Sequence, residues 1–194
     1  VIATTFDAQD RLVDRTLSMT TEAIVAGALG SASFATATDT PGFESVATVT
    51  CRTAGRVEVG GKVELVMPSE PGAQYGWRFT DGAALSSLET SGTSNAPGVS
   101  FVASGSIGTP TAAAVGYNVS NRTLVFTVAA HDLAQNTTYV FSITNVLTPS
   151  STVGAANVIA TTLDAQHERV DRTLSMSTEA IVAGALGSAS FATA

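Results

Sequence analysis

Residues 1–37 read VIATTFDAQDRLVDRTLSMTTEAIVAGALGSASFATA, and residues 158–194 read VIATTLDAQHERVDRTLSMSTEAIVAGALGSASFATA. The two stretches agree at 32 of 37 positions and differ at Phe6/Leu163, Asp10/His167, Arg11/Glu168, Leu12/Arg169 and Thr20/Ser177. A repeat at a fixed offset constrains architecture more than any composition does, because each copy must find partners of the same kind. The offset here is 157 residues. Solenoid repeats are roughly 20–50 residues long, one supersecondary element each; a period of 157 is the size of a whole domain. The match has no edge inside the chain: it starts at residue 1 and runs to residue 194. The expectation is a window of one period and a little more from a longer array. On that reading residues 1–30 are the end of a preceding unit and a linker, residues 31–177 are one complete unit with its closing hairpin, and residues 178–194 are a linker and the first strand of the next. The absence of an initiator Met and of a targeting segment suits an internal fragment or a processed chain. The competing reading is a complete small protein whose duplicated ends pair with neighbouring copies.

What fills the period is strand material. Ser and Thr together make up 48 of 194 residues, with Ala, Gly and Val abundant beside them, and Thr and Val at alternating positions favour a pleated, half-buried chain. Period-2 alternation dominates and helical periodicity is nearly absent. The stretches 33–40, 45–53, 61–68, 76–80, 99–104, 122–129 and 138–146 read as strands. In them Ala47, Val49 and Cys51 share one face, as do Leu124, Phe126 and Val128, and Tyr139, Phe141 and Ile143. NVIATTLD and RVDRTLSM form a hairpin around AQHE. Three of the five differences between the copies fall at this turn, and an exchange of Leu12 for Arg169 is tolerated only where a side chain is wet. The tip is therefore expected to be exposed. The run AIVAGALG, from Ala23 and again from Ala180, reads as a helical turn or a linker; its glycines weaken a helix. Residues 81–98 read as a long surface loop. Several short strands separated by turn signals predict an all-β fold, an immunoglobulin-like or fibronectin III-like antiparallel β-sandwich repeated in tandem.

The segment DLAQNTTYVFSI carries a more specific pattern in Leu133, Thr137 and Tyr139. It resembles the corner that leads into strand F of immunoglobulin-like and fibronectin type III sandwiches. There a Leu packs under the turn and a Tyr hydroxyl bonds back to the upstream backbone. Gln135 stands where that corner often has Pro. The whole period, with GGKVELVMPS, RTLVFTV, NTTYVFSITNVLTPSS and VIATTLD, resembles the tandem immunoglobulin-like repeats of large surface and fibre proteins of algae and other protists, among them the mastigoneme proteins. The resemblance implies an extracellular or cell-surface location, glycosylation, and assembly into filaments or walls. It also implies that prolines beside Ser, Thr or Ala (Pro41, Pro68, Pro97, Pro110 and Pro149) are candidates for hydroxylation and O-glycosylation.

Residues with chemistry are few. Three sequons, at Asn118, Asn121 and Asn136, sit in turn-like contexts where a glycan fits, and are the candidate glycosylation sites. Cys51 is the only cysteine and reads as a buried thiol; a link between chains or a reactive thiol is the other reading. His131 and His167 lack the context of any catalytic or zinc motif, so the chain is read as a non-enzyme without cofactor. The acids Asp7, Asp10 and Asp14 could suggest Ca²⁺, yet the second copy replaces Asp10 with His167, and they read as solvated turn acids. A net charge of −7 with nine scattered basic residues argues against nucleic acid or an anionic membrane surface as partner. The longest apolar run, AIVAGALG, is far shorter than the roughly 20 residues of a membrane helix. The expected partners are copies of the chain itself and covalent glycans, in a structural module of an extracellular filament or surface fibre packed head to tail. The alternative is an adhesin-like or carbohydrate-binding module using the 81–98 loop and an exposed edge around Trp77.

Overall fold

The computed structural model describes residues 3–9, 12–16, 25–69, 76–79, 98–102, 108–118 and 120–184. They form an all-β fold, with no helix among the described residues. Among the described residues, strands β1 (Ala3–Phe6) and β2 (Leu12–Thr16) pair only with each other, as an antiparallel hairpin. The other eleven belong to one mixed sheet: β3 (Gly27–Ala28), β4 (Gly30–Thr36), β5 (Glu44–Arg52), β6 (Lys62–Val66), β7 (Arg78–Phe79), β8 (Val99–Phe101), β9 (Thr111–Asn118), β10 (Thr123–Ala129), β11 (Thr138–Leu147), β12 (Asn157–Leu163) and β13 (Arg169–Thr178). The order across the sheet is β7-β11-β5-β4-β13-β12-β6-β10-β9, with β3 added to β13 and β8 to β11.

The sheet curls until its ends nearly meet. Phe79 on terminal strand β7 lies edge-on to Tyr117 on the opposite terminal strand β9, with ring centroids 4.7 Å apart. Across the middle, Phe126 of β10 meets Phe141 of β11 at 5.3 Å, and Phe101 of β8 meets Phe126 at 5.9 Å. Edge-on pairs of this kind are each worth about 1 kcal/mol beyond their burial. The expected inward faces are the observed ones: Ala47, Val49 and Cys51; Leu124, Phe126 and Val128; Tyr139, Phe141 and Ile143 are all buried in one core.

Three features depart from the sequence reading. The sheet is not purely antiparallel, because β13 runs parallel to β3 and β4. The first and last strands of the main sheet run in the same direction, so lying side by side they must pair parallel. Strand β9 was not foreseen; TAAAVGYN is rich in Ala, a weak strand former. Finally, GALG of the first AIVAGALG copy is neither helix nor linker: Gly27 and Ala28 pair with Asp171 and Arg172, and Leu29 is buried. The 81–97 part of the expected loop lies outside the described residues.

Candidate functional site

A cluster of polar residues with definite partners lies at one end of the β4–β13 pair, the leading end, where the chain joins the main sheet at Gly27. Strand β5 ends at Arg52 and the backbone turns through Ala54–Val59. Asp171, fully buried on β13, accepts the Ala54 N–H at 3.1 Å and the Gly55 N–H at 3.0 Å. Its own N–H donates to Thr162 Oγ1 at 3.1 Å. Burial pushes the Asp171 carboxyl above the ordinary carboxylate range, against the pull of these backbone donors. On the other side of the loop, Asp132 accepts the Val59 N–H at 2.7 Å and Arg56 Nε at 2.9 Å, with Arg56 Nη2 completing a fork. The hydrogen bond from Arg56, then that from Val59, holds the Asp132 carboxyl below its usual range. One loop is thus held between a buried acid and an exposed ion pair.

Asp171 is the copy of Asp14, and in its own copy of the repeat this position is a buried strand residue. Alternation along β13 turns it inward, toward partners more than a hundred residues away in sequence. The Asp14 side chain and Asp10 lie outside the described residues. Asp7 and its copy Asp164 do sit in turns, Asp7 accepting the Gln9 N–H and Asp164 the N–H groups of Gln166 and Glu168. His167 is exposed at the tip with φ 68°. Among the described residues no three His, Cys, Asp or Glu side chains gather as a metal site.

Leu133, Thr137 and Tyr139 come together as a corner at the same end. The Ala134 N–H donates to Tyr139 Oη at 2.6 Å, Leu133 is buried, and Thr137 Oγ1 donates to the Gln135 carbonyl at 3.1 Å. A fourth member, Thr53, is buried and ties β5 in: its Oγ1 donates to the Ala134 carbonyl at 2.6 Å and accepts the Thr137 N–H at 3.2 Å. Only the pairing of distant strands brings it there. The corner opens β11, whose neighbours are β5, β7 and β8; the strand beside the last one is β12. Asn136 is exposed in this turn with φ 58°.

Asn118 and Asn121 are exposed in the turn joining β9 and β10. The Asn118 side-chain oxygen accepts the Ser120 and Asn121 N–H groups, and that of Asn121 accepts the Thr123 N–H. Burial removes Pro68, Pro110 and Pro149 from the modification candidates; Pro41 is half-buried and Pro97 lies outside the described residues. Cys51 is buried, and burial, with the nearby Asp171 charge, pushes its thiol up to about 11. At that value the thiolate is scarce and the thiol packs as a small apolar group. Trp77 is not at an exposed edge. It is 1% exposed and set edge-on against Phe34 at 5.5 Å, which takes from the carbohydrate-binding alternative the aromatic it relied on.

The opposite, trailing end joins a few apolar side chains to the exposed Ser151, Thr152 and Glu179. A shallow groove of about 320 Å³ runs between Thr152–Gly154 and Ala180–Ala183. Phe43, just before β5 at this end, is 56% exposed, yet its backbone is fixed: its N–H donates to Thr148 Oγ1 at 2.9 Å and its carbonyl accepts the Thr148 N–H at 2.9 Å.

No protein-family model, curated protein or solved structure matches this chain. The functional reading therefore rests on the repeat, the two ends and the turn residues.

Proposed function

We propose that this chain is a structural repeat module of an extracellular glycoprotein filament or surface fibre, built from immunoglobulin-like units packed head to tail. The observation that carries this reading is the 32-of-37 repeat combined with the path of the chain. The chain joins the main sheet at Gly27, level with Asp171, and leaves past Ile181, beyond the other end of the same strand pair. Each unit then hands the chain to the next along its long axis, and a head-to-tail contact that does not close on itself generates an open filament.

Strand neighbours support the immunoglobulin-like part. The run β4-β5-β11-β8 follows the order A-B-E-D, and β13-β12-β6 follows G-F-C, with β10 and β9 added beyond C. One departure is that β8 precedes β9 and β10 in the chain, and another is that the tyrosine corner opens the E-like strand. The exposed turns at Asn118, Asn121 and Asn136 are where the proposed glycans would sit.

The test is the intact mass of the natural polypeptide before and after deglycosylation, with negative-stain images of the native material. The proposal expects a mass several times 19.6 kDa, a shift on deglycosylation, and filaments. A native mass near 19.6 kDa with no filaments overturns it, and saturable glycan binding by a free monomer would put the binding module in its place.

A further inference from the structure

The geometry points to a joint with no free linker: the trailing end of one unit, with Phe43, Val182 and the groove beside Val153 and Ile181, docks the Ala54–Val59 leading end of the next copy. This rests on the tandem-array reading and adds to it that successive units form one rigid body.

The argument uses the two copies of AIVAG, residues 23–27 and 180–184. In the first copy, Gly27 already belongs to the unit ahead of it. It pairs with Asp171, and a methyl group there would lie 2.7 Å from Ala54 Cβ, so the backbone is held close against the 54–55 loop. In the second copy, Ile181 still belongs to the unit behind it. It is 1% exposed and exchanges hydrogen bonds with Val153, Ile181 N–H to the Val153 carbonyl at 2.9 Å and the reverse at 3.1 Å. Val182 N–H then donates to the Asp39 carbonyl at 2.9 Å. Residue 184 is the equivalent of Gly27, and residues 185–194 repeat 28–37, the segment that carries β4. Overlaying the identical words leaves only Val182 and Ala183 between the last anchor of one unit and the first anchor of the next, and Val182 is itself hydrogen-bonded. Three Cα steps span at most about 11 Å, roughly the spacing of two packed sheets. Units that close must touch.

Each of the two surfaces carries exposed apolar side chains, the leading one beside the exposed Arg56 and Glu58. At the trailing end Phe43 is 56% exposed, and Val182, which lines the groove, is 58% exposed. At the leading end Val59 is 49% exposed; Val25 takes the same place in the array as Val182 of the preceding unit and adds no second group. Single exposed apolar side chains are ordinary; here they stand on the two surfaces that the repeat itself brings together. The fixed backbone around Phe43 presents that ring without an ordering cost at docking.

The experiment uses a chain of two periods, made by following Ala194 with a second copy of residues 38–194, and reads ¹⁵N relaxation of both units. We expect one common tumbling time, about twofold or more that of the 194-residue chain, where freely linked domains would move separately. Six Gly-Ser residues inserted between Val182 and Ala183 should release the units to tumble apart, and Phe43→Ser in the first unit should loosen the joint. In the 194-residue chain, Phe43→Ser should leave the thermal midpoint unchanged, separating the joint from folding. Two folded units tumbling independently through the native 182–183 segment would overturn the rigid joint, while a native mass near 19.6 kDa would overturn the array itself.

Discussion

The hairpins β1–β2 and β12–β13 are spelled by nearly the same residues and live in different surroundings. The second is hydrogen-bonded on both sides, β12 to β6 and β13 to β3 and β4. The first, among the described residues, pairs only with itself. An isolated two-stranded hairpin is marginal in water, so the same words contribute to the core only where other strands cover them. The hydrophobic pattern states which face can be buried; the neighbours decide whether it is.

Matched substitutions in the two copies should break this near-identity in stability. The largest difference is expected for Asp171→Ala against Asp14→Ala. The first strands the Ala54 and Gly55 N–H groups without their acceptor and should cost about 3 kcal/mol in urea unfolding; the second, in the hairpin, should fall within about 0.5 kcal/mol of wild type. Equal effects would show that both hairpins carry the fold. Next comes Gly27→Ala against Gly184→Ala. At residue 27 the new methyl meets the Asp171 carboxylate and Ala54 Cβ, whereas at 184 it meets only the Thr40 methyl at 3.2 Å. We expect about 2 kcal/mol for the first, as for overpacking, and under about 0.5 kcal/mol for the second. In a chain of two periods the cost at 184 should rise to match that at 27. Thr162→Val removes the acceptor of the Asp171 N–H and should cost about 1 kcal/mol, against nearly nothing for Thr5→Val.

The smallest effect is in pH. The folded-state pKa of Asp171 lies above its unfolded value of 3.8. Its contribution is therefore fully present below 3.8 and is lost as pH rises through the folded pKa. Asp171→Asn, which keeps an acceptor for the loop, should remove that slope, so the variant gains on wild type as pH climbs through the window. Asp132 works in the opposite sense: its depressed pKa gives stability that is present above 3.8 and fades as pH falls. Chemical denaturation from pH 3 to 7 reads both, and a slope that Asp171→Asn leaves unchanged would remove Asp171 as its source.

Several parts were legible because their signal is local. Leu124, Phe126 and Val128 announce a strand by alternation alone, and Leu133, Thr137 and Tyr139 form their corner within seven residues of chain. Other parts were not. Strand β9 is Ala-rich and gains its place by pairing with β10. Trp77 stands just before the short strand β7, in a sequence that does not say that Phe34 covers it. Asp171 looks like any turn acid until the 54–55 loop is brought to it from 116 residues away.

The sequence by itself determined the period, the strand material, the inward-facing apolar residues and the exposed hairpin tip. These follow from residue spacing along one segment, which the pleat converts directly into faces. Tertiary structure alone decided that the first and last strands of the unit lie parallel, that the second copy of the repeated hairpin is flanked by strands on both sides, and that an aspartate becomes a buried clamp. Each depends on partners distant in the chain, and a side chain's burial is a property of what packs over it.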